Sequence, residues 1–200
     1  MTTRRDFLKT MTMASAGLAL GAGDILANPT FASQRKITDK VKIAYVGIGN
    51  RGEQIIGDFA RTGMVEVVAL CDVDMGAPHT QKVMNLYPKA KRFRDFRQMF
   101  DKAGNEFDAV AIATPDHSHF PISMLALASG KHVYVEKPLA RTFYEGELLM
   151  QAALKRPNLV TQVGNQGHSE ANYFQFKAWM DAGIIKDVTA VTAHMNNPRR

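Results

Sequence analysis

A glycine-rich run, GIGNRG, occupies residues 47–52 of this 200-residue chain. It follows alternating and β-branched residues at 41–46, which predict a strand, and it precedes helical spacing of apolar residues over 53–61. This order of strand, G-x-G-x-x-G and helix is typical of a turn that binds a dinucleotide, because free N–H groups at the helix N-terminus face the pyrophosphate. The residues expected to form this contact are Gly47, Gly49, Asn50, Arg51 and Gly52.

A carboxylate, Asp72, lies 20 residues after Gly52 at the carboxyl end of a second predicted strand, 65–72. At this place a carboxylate accepts hydrogen bonds from the ribose hydroxyls of adenosine and repels a 2′-phosphate. No arginine follows closely, since the next four residues are VDMG. The sequence therefore favours NAD over NADP, and a turn or helix-capping aspartate is the structural alternative.

Strands and helices continue to alternate along the chain. Further strands are predicted at 91–93, 107–113, 131–135 and 159–163. Helices are predicted between them, over 78–86, 96–102, 120–129 and 144–155. This rhythm predicts an α/β fold, namely a Rossmann-type doubly wound parallel sheet.

Three polar clusters begin where predicted strands end. They are TPDHSH at 114–119, EKP at 136–138 and GNQGH at 164–168. In an open parallel sheet, ligands bind at the edge formed by the carboxyl ends of the strands. We therefore expect the functional groups of the protein at this edge.

Several segments together resemble the Gfo/Idh/MocA oxidoreductase family. They are VGIGNRG at 46–52, CD at 71–72, ATP-x-x-x-H at 113–119, GKHV at 130–133 and EKPLA at 136–140. The resemblance covers residues 40–200 and implies a Rossmann domain followed by an α/β substrate domain with an open antiparallel sheet. It also implies oxidation or reduction of hydroxyl and keto groups of sugars, inositols and related polyols. The stretch GNQGHS at 164–169 resembles an exported branch of the family.

The same resemblance implies that Lys137, in the EKP motif, is the catalytic residue. Hydride removal from a carbinol requires its hydroxyl proton to leave, and a nearby lysine can stabilise or accept that proton. Pro138 restrains the backbone directly after this side chain. A surface lysine beside a strand end is the structural alternative.

The resemblance also implies a set of cofactor contacts outside the glycine-rich run: Thr114, Pro115, Asp116, His119, Glu136 and Asn165. Glu136 is expected to face the nicotinamide ribose, and a simple ion-pair partner is its alternative. His168 is assigned to substrate contact, with a satisfied loop histidine as an equal alternative. A metal site of His117, His119 and His168 is not favoured, because H-x-H on a loop lacks a firm carboxylate or cysteine partner.

Residues 1–32 predict an export signal rather than part of the fold. They contain TRRDFLK at 3–9, an apolar run from residue 11 to about residue 22, and small residues over 27–32. The apolar run is too short for a bilayer span, which needs roughly 20 residues. Adjacent arginines followed by Phe-Leu-Lys predict a twin-arginine (Tat) signal and export to the periplasm or beyond it. A frayed amphipathic N-terminus is the alternative.

The composition, with 46% hydrophobic and 22% charged residues, excludes a disordered chain and a multi-span membrane protein. The single cysteine, Cys71, excludes an intrachain disulfide and any multi-cysteine metal site. Lys and Arg number 25 against 19 acidic residues, which gives a net charge of +6. Because this excess forms no basic run, no nucleic-acid partner is expected.

These features predict three regions: a Tat signal at 1–32, a NAD-binding Rossmann domain at 33–165 and the start of a substrate domain at 166–200. The last region opens with an amphipathic helix over 170–182 and an alternating strand over 188–194. One strand without partners cannot form a sheet, so we expect the chain to be the N-terminal part of a longer protein. The full-length protein is expected to form a homo-oligomer.

The sequence thus predicts an exported NAD-dependent oxidoreductase whose substrate is a sugar, glycoside or polyol. Because the Tat machinery carries folded proteins, NAD could be loaded before export and held tightly. A captive cofactor must be regenerated on the enzyme, which leaves open a redox-neutral glycoside hydrolase or lyase. A non-catalytic exported sugar- or nucleotide-binding protein is a further alternative, and the EKP motif at 136–138 argues against it.

Overall fold

Six strands and six α-helices alternate in the computed structural model, which describes residues 40–193. The strands are β1 (Val41–Val46), β2 (Val65–Cys71), β3 (Lys91–Phe93), β4 (Ala109–Ile112), β5 (His132–Glu136) and β6 (Thr161–Gly164). The helices are α1 (Arg51–Arg61), α2 (Pro78–Leu86), α3 (Phe96–Ala103), α4 (His119–Ala128), α5 (Phe143–Leu154) and α6 (Ala171–Asp181). The predicted signal at 1–32 lies outside the described residues.

The strands form one parallel sheet in the order β3-β2-β1-β4-β5-β6. This is the doubly wound Rossmann order, so the predicted fold class is confirmed. The order reverses at β1, where Val46 pairs with Cys71 on one side and with Ile112 on the other. The residues that follow these three therefore leave the sheet side by side, at the switch point where such folds bind ligands.

Helices cover both faces of the sheet because alternate strand residues point to opposite sides. On one face, Ala44 and Val46 pack in a core with apolar side chains of α3, α4 and α5. On the other face, Ile43 and Tyr45 pack in a core with apolar side chains of α1 and α2. The central strands are consequently buried, and the carboxyl edge of the sheet stays accessible between the two helical layers.

The region after β6 differs from the expectation in one respect. The strand predicted over 188–194 is wrong for residues 188–193, which form no strand; residue 194 lies outside the described residues. Extended backbone needs a partner for its N–H and C=O groups, and no other segment of residues 40–193 provides one. The predicted helix is present as α6.

Helix α6 is exposed on all sides and contains no buried residue. Its large apolar side chains in solvent are Tyr173, Phe174, Phe176, Trp179 and Met180. Neither α6 nor any other helix within residues 40–193 has the length and hydropathy to cross a membrane.

Cys71, the last residue of β2, is expected to make the fold less stable as pH rises in the alkaline range. Burial, with a smaller contribution from the Asp72 carboxylate, raises the pKa of this thiol from 9.0 to about 12. Between these values the unfolded chain releases the thiol proton and the folded chain keeps it, so the free energy of unfolding must fall as pH rises. We expect this group to contribute a slope of about 1.4 kcal/mol per pH unit in that range.

Urea unfolding of the wild-type chain and of Cys71→Ala, at about pH 8 and about pH 10.5, measures this slope. The variant should lose less stability than the wild type between the two pH values. Burial also raises the pKa of Tyr45, but this phenol is present in both proteins and cancels in the comparison. Equal losses in the two proteins would contradict the prediction.

Candidate functional site

The glycine-rich turn after β1 is so tightly closed that it has no room for a side chain at Gly47 or Gly52. Gly47 has φ +79°, and a Cβ there would lie 2.5 Å from the Ala113 carbonyl oxygen. The Gly52 N–H donates to the Gly49 carbonyl oxygen at 2.8 Å. A Cβ on Gly52 would lie 2.0 Å from the Gly47 carbonyl oxygen. This contact packs the first turn of α1 against the end of β1, as predicted for the third glycine of the motif.

Two glycines of α1 give opposite predictions for the same substitution. Gly52→Ala should lower the free energy of unfolding by about 1–3 kcal/mol, because its methyl group would collide with backbone that cannot move cheaply. Gly57→Ala should raise it by about 0.5–1 kcal/mol, because nothing lies within 4 Å of the new methyl group and alanine favours helix. Urea unfolding of both variants tests the pair; similar effects in the two would contradict it.

A cleft of about 580 Å³ opens beyond this turn, at the carboxyl ends of β1, β2 and β4. The predicted cofactor residues that line it are Gly47, Gly49, Asn50, Asp72, Thr114 and Pro115. The buried Thr114 hydroxyl has no hydrogen-bond partner among residues 40–193, although such groups are normally paired. It is therefore a polar group that a ligand in the cleft could satisfy.

Asp72 is held in place within this cleft by two backbone N–H groups. One carboxylate oxygen accepts from Ile48 N–H at 2.9 Å, and the other accepts from Asp74 N–H at 3.0 Å. Each oxygen keeps a second lone pair for another donor. The turn role that was the alternative for Asp72 is thus present, and it orients the carboxylate that was predicted to bind ribose.

Several lining residues of the cleft were missed by the sequence analysis. Those with charged or aromatic side chains are His79, Arg94, Asp95, Phe96 and Arg97. Arg94 directly follows β3, so the rule that sites lie at carboxyl ends of strands could have found it. No local pattern indicates His79, because its approach depends on how α2 packs.

The His79 ring lies against Gly49, where a Cβ would be 2.2 Å from the ring carbon Cδ2. The second glycine of the motif is the place where the backbone must approach a pyrophosphate. His79 is exposed in the first turn of α2. Its side chain can therefore turn toward solvent when a dinucleotide binds.

An ion pair joins the glycine-rich turn to the EKP segment. Arg51 Nη2 donates to Glu136 Oε1 at 3.0 Å, and the Tyr134 hydroxyl donates to the same oxygen at 3.1 Å. The Glu136 side chain is only 5% exposed. A Cβ on Gly164 would lie within 2.5 Å of both Tyr134 and Glu136 side-chain oxygens, so β6 closes this network from the side.

This network gives Arg51 and Glu136 a structural role beside the cofactor contacts predicted for them. The hydrogen bond that Arg51 donates to Glu136 raises the pKa of Arg51, and burial, followed by the charge of Glu136, raises the pKa of Tyr134. Neither Arg51 nor Glu136 lines the cleft around Asp72. The ion-pair alternative for Glu136 is thus present, and we assign both residues to positioning the two ligand-binding segments; their contacts with pyrophosphate and ribose stay predictions.

His119 also holds two segments together. Its ring is 1% exposed, with Nδ1 2.6 Å from the Pro138 carbonyl oxygen and Nε2 2.8 Å from the Thr114 carbonyl oxygen. A protonated ring nitrogen donates to its neighbouring carbonyl. Both ring nitrogens thus lie within hydrogen-bond distance of backbone carbonyl oxygens, which favours a positioning role for His119; its cofactor contact stays a prediction.

The remaining predicted residues lie on exposed loops. Lys137 follows β5 and is exposed, whereas Glu136, the last residue of the strand, is buried. Glu136 pairs with Gly164 in the sheet, so Lys137 and Asn165 emerge from neighbouring strand ends. Asp116 is exposed in the 3₁₀ turn Asp116–Ser118. The His168 ring lies 5.5 Å from the Tyr173 ring. This contact is compatible with both roles considered for His168, a substrate contact and a satisfied loop histidine.

The geometry described above agrees with a comparison to known protein families. Residues 41–164, more than half of the chain, match the Gfo/Idh/MocA model, described as an oxidoreductase family with an NAD-binding Rossmann fold. The chain belongs to this family. The family assignment rests on the same strands and turns that form the cleft.

Known members of the family similar to this chain act on different compounds. Inositol 2-dehydrogenase of Salmonella typhimurium is 30% identical over 147 residues, which are 72% of this chain and 43% of that protein. Alpha-N-acetylgalactosaminidase of Shewanella oneidensis is 29% identical over 161 residues, covering 71% of this chain and 35% of that protein.

A solved structure of another member has the same fold. Scyllo-inositol dehydrogenase of Lactobacillus casei, with bound NAD(H) and scyllo-inositol, is 28% identical with a TM-score of 0.65. The superposition covers 76% of this chain and 44% of the dehydrogenase. The chain therefore spans less than half the length of the relatives that it matches.

Proposed function

We propose that this protein is an NAD-dependent oxidoreductase that acts on a hydroxyl or keto group of a sugar or polyol. The observation that carries the proposal is the cleft at the switch point of the sheet, in which the closed glycine turn and the anchored Asp72 carboxylate face the same space. Asp72 favours NAD over NADP because its negative charge opposes a 2′-phosphate.

Different residues of the cleft are suited to bind different parts of the dinucleotide. The N–H groups at the start of α1 suit the pyrophosphate, Asp72 suits the adenosine ribose, and the unpaired Thr114 hydroxyl offers a donor and acceptor deeper in the cleft. Arg51, Glu136 and His119 hold the surrounding segments in place. When bound, NAD would accept the hydride that leaves the substrate carbon.

Lys137 is the residue we assign to the proton. Oxidation of a carbinol breaks the O–H bond as the C–H bond is broken, and the Lys137 amine accepts the proton; in the reverse direction its ammonium group returns the proton to the carbonyl oxygen. Support comes from its exposed position beside Asn165 at the carboxyl edge, free of ion pairs within residues 40–193. His168 and Asn165 remain predicted contacts of substrate and nicotinamide.

A second candidate function is NAD-dependent, redox-neutral cleavage of a glycoside. It is favoured by similarity to glycosyl hydrolase family 109 proteins of Shewanella, which are 28–30% identical to this chain over about as much of its length as the inositol dehydrogenases. In this chemistry transient oxidation assists bond cleavage and the cofactor is restored within one turnover. Lys137 would have the same proton-transfer role in both reactions.

We further propose that the full-length protein contains a substrate-binding second half, forms a homo-oligomer and is exported by the Tat machinery with NAD bound. The supporting observations are the TRRDFLK segment at 3–9 and the exposed aromatic side chains of α6. NAD loaded before export must be held tightly, because no soluble pool of NAD outside the cytoplasm would replace cofactor that dissociates.

The decisive experiment purifies the full-length protein from the periplasm and measures released nucleotide by mass spectrometry. NAD is expected at close to one equivalent per chain. The protein is then offered inositols and aldoses while absorbance of the reduced nicotinamide is followed, and an aryl α-N-acetylgalactosaminide while free sugar is followed. Protein that arrives without nucleotide, does not bind added NAD and reduces none with any of these compounds would contradict the proposed function.

A further inference from the structure

Arg94 stands beside Asp72 at the mouth of the cleft. The two residues follow β2 and β3, whose last residues Cys71 and Phe93 are paired in the sheet. The Asp72 N–H donates to the Phe93 carbonyl oxygen at 3.0 Å, so the pairing continues to the residue that carries the carboxylate. Neighbouring parallel strands are about 4.8 Å apart, which places the two side chains within reach of the same ribose.

A second arginine of the cleft, Arg97, already has partners among the described residues of the protein, whereas Arg94 does not. Arg97 Nη1 lies 3.3 Å from both carboxylate oxygens of Asp95, and its guanidinium lies over the Phe96 ring. Arg94 is exposed and lines the cleft, yet it makes no ion pair or side-chain hydrogen bond with any of residues 40–193. It is therefore an unneutralised guanidinium next to the group predicted to recognise the 2′-hydroxyl.

We propose that Arg94 is a specificity-determining residue: it could bind the 2′-phosphate of NADP, but the Asp72 carboxylate keeps that phosphate out of the cleft. The proposal rests on the proposed function, because it requires a dinucleotide in this cleft. A guanidinium binds phosphate through paired, charge-assisted hydrogen bonds. A carboxylate fixed by two N–H groups cannot turn away, so it opposes the phosphate in the space that Arg94 could otherwise serve.

The arrangement has a consequence for cofactor choice. Removing the charge of Asp72 should not merely weaken discrimination but should create affinity for NADPH, since the cation is already in place. A charge-assisted arginine–phosphate contact corresponds to about a 10- to 100-fold gain in affinity. If Asp72 is removed together with Arg94, this gain should disappear.

The test uses the full chain and measures dissociation constants of NADH and NADPH by nicotinamide fluorescence. Asp72→Ser and Asp72→Asn are compared with the wild type; two variants are used because Asp72 also anchors the turn through Ile48. The ratio of NADPH to NADH affinity should rise about 10- to 100-fold in at least the variant that retains NADH binding. In the double variant Asp72→Ser/Arg94→Gln, the ratio should return toward the wild-type value.

A matched control is Asp72→Ser/Arg92→Gln. Arg92 lies two residues earlier on β3, contacts the Met84 carbonyl oxygen and does not line the cleft, so the NADPH gain should persist. Variants that bind NADH and gain no NADPH affinity, or a gain that survives Arg94→Gln, would overturn the role of Arg94. A wild-type chain that binds neither nucleotide would instead contradict the proposed function.

Discussion

Lys137→Met is expected to reduce turnover by about 100- to 10,000-fold while the affinity for NADH stays within about twofold of the wild type. Turnover falls because Lys137 is the residue that we assign to exchange of the substrate hydroxyl proton. The fold should tolerate the change, since Lys137 is exposed and has no ion pair or side-chain hydrogen bond within residues 40–193. The adjacent buried Glu136 keeps its partners Arg51 and Tyr134.

Measurement of this effect requires the full-length protein and the compound that proves active among the inositols, aldoses and glycosides. Lys155→Met is the matched control, because Lys155 is equally exposed but follows α5, away from the carboxyl edge of the sheet. It should retain full turnover. A Lys137 variant that keeps more than about a tenth of the wild-type turnover would exclude general acid–base catalysis by this residue. A parallel loss of NADH binding would indicate a structural role.

Arg51→Met is expected to lower the free energy of unfolding by about 1–3 kcal/mol, because it leaves the buried Glu136 carboxylate with the neutral Tyr134 hydroxyl as its remaining side-chain partner. This loss is smaller than the loss expected on breaking a fully buried ion pair, because the Arg51 side chain is 33% exposed and partly solvated. Turnover should also fall, since the ion pair connects the glycine-rich turn to the segment that carries Lys137.

Arg61→Met provides the control on the same helix. Arg61 pairs with Asp58, but both side chains are largely exposed, and its loss should change stability by no more than about 0.5 kcal/mol. Urea unfolding of Arg51→Met, Glu136→Gln and the double variant then completes a cycle. The double variant should cost less than the sum of the single changes, because it removes both charges together. Additive changes would show that the pair is not coupled.

The order of strands and helices and the cofactor turn could be predicted from the sequence because their signals are local. Two-residue alternation, helical spacing and G-x-G-x-x-G each depend on neighbours within one element, and they placed Gly47, Gly52 and Asp72 at the carboxyl edge. The strand prediction failed over residues 188–193 for the same reason. Its alternation is a local property, whereas a strand forms only when a distant segment pairs with it.

Partner choice among the polar side chains was decided by the tertiary structure alone. Arg51 and Glu136 are 85 positions apart, and both have the residue types of cofactor contacts. Only the pairing of β1 with β4 and of β4 with β5 brings their ends together and lets them form an ion pair. His119 likewise meets two carbonyl oxygens that the fold buries beside it. A sequence specifies which side chains can donate or accept hydrogen bonds. The fold determines which of these side chains are buried against each other and which remain free to bind a ligand.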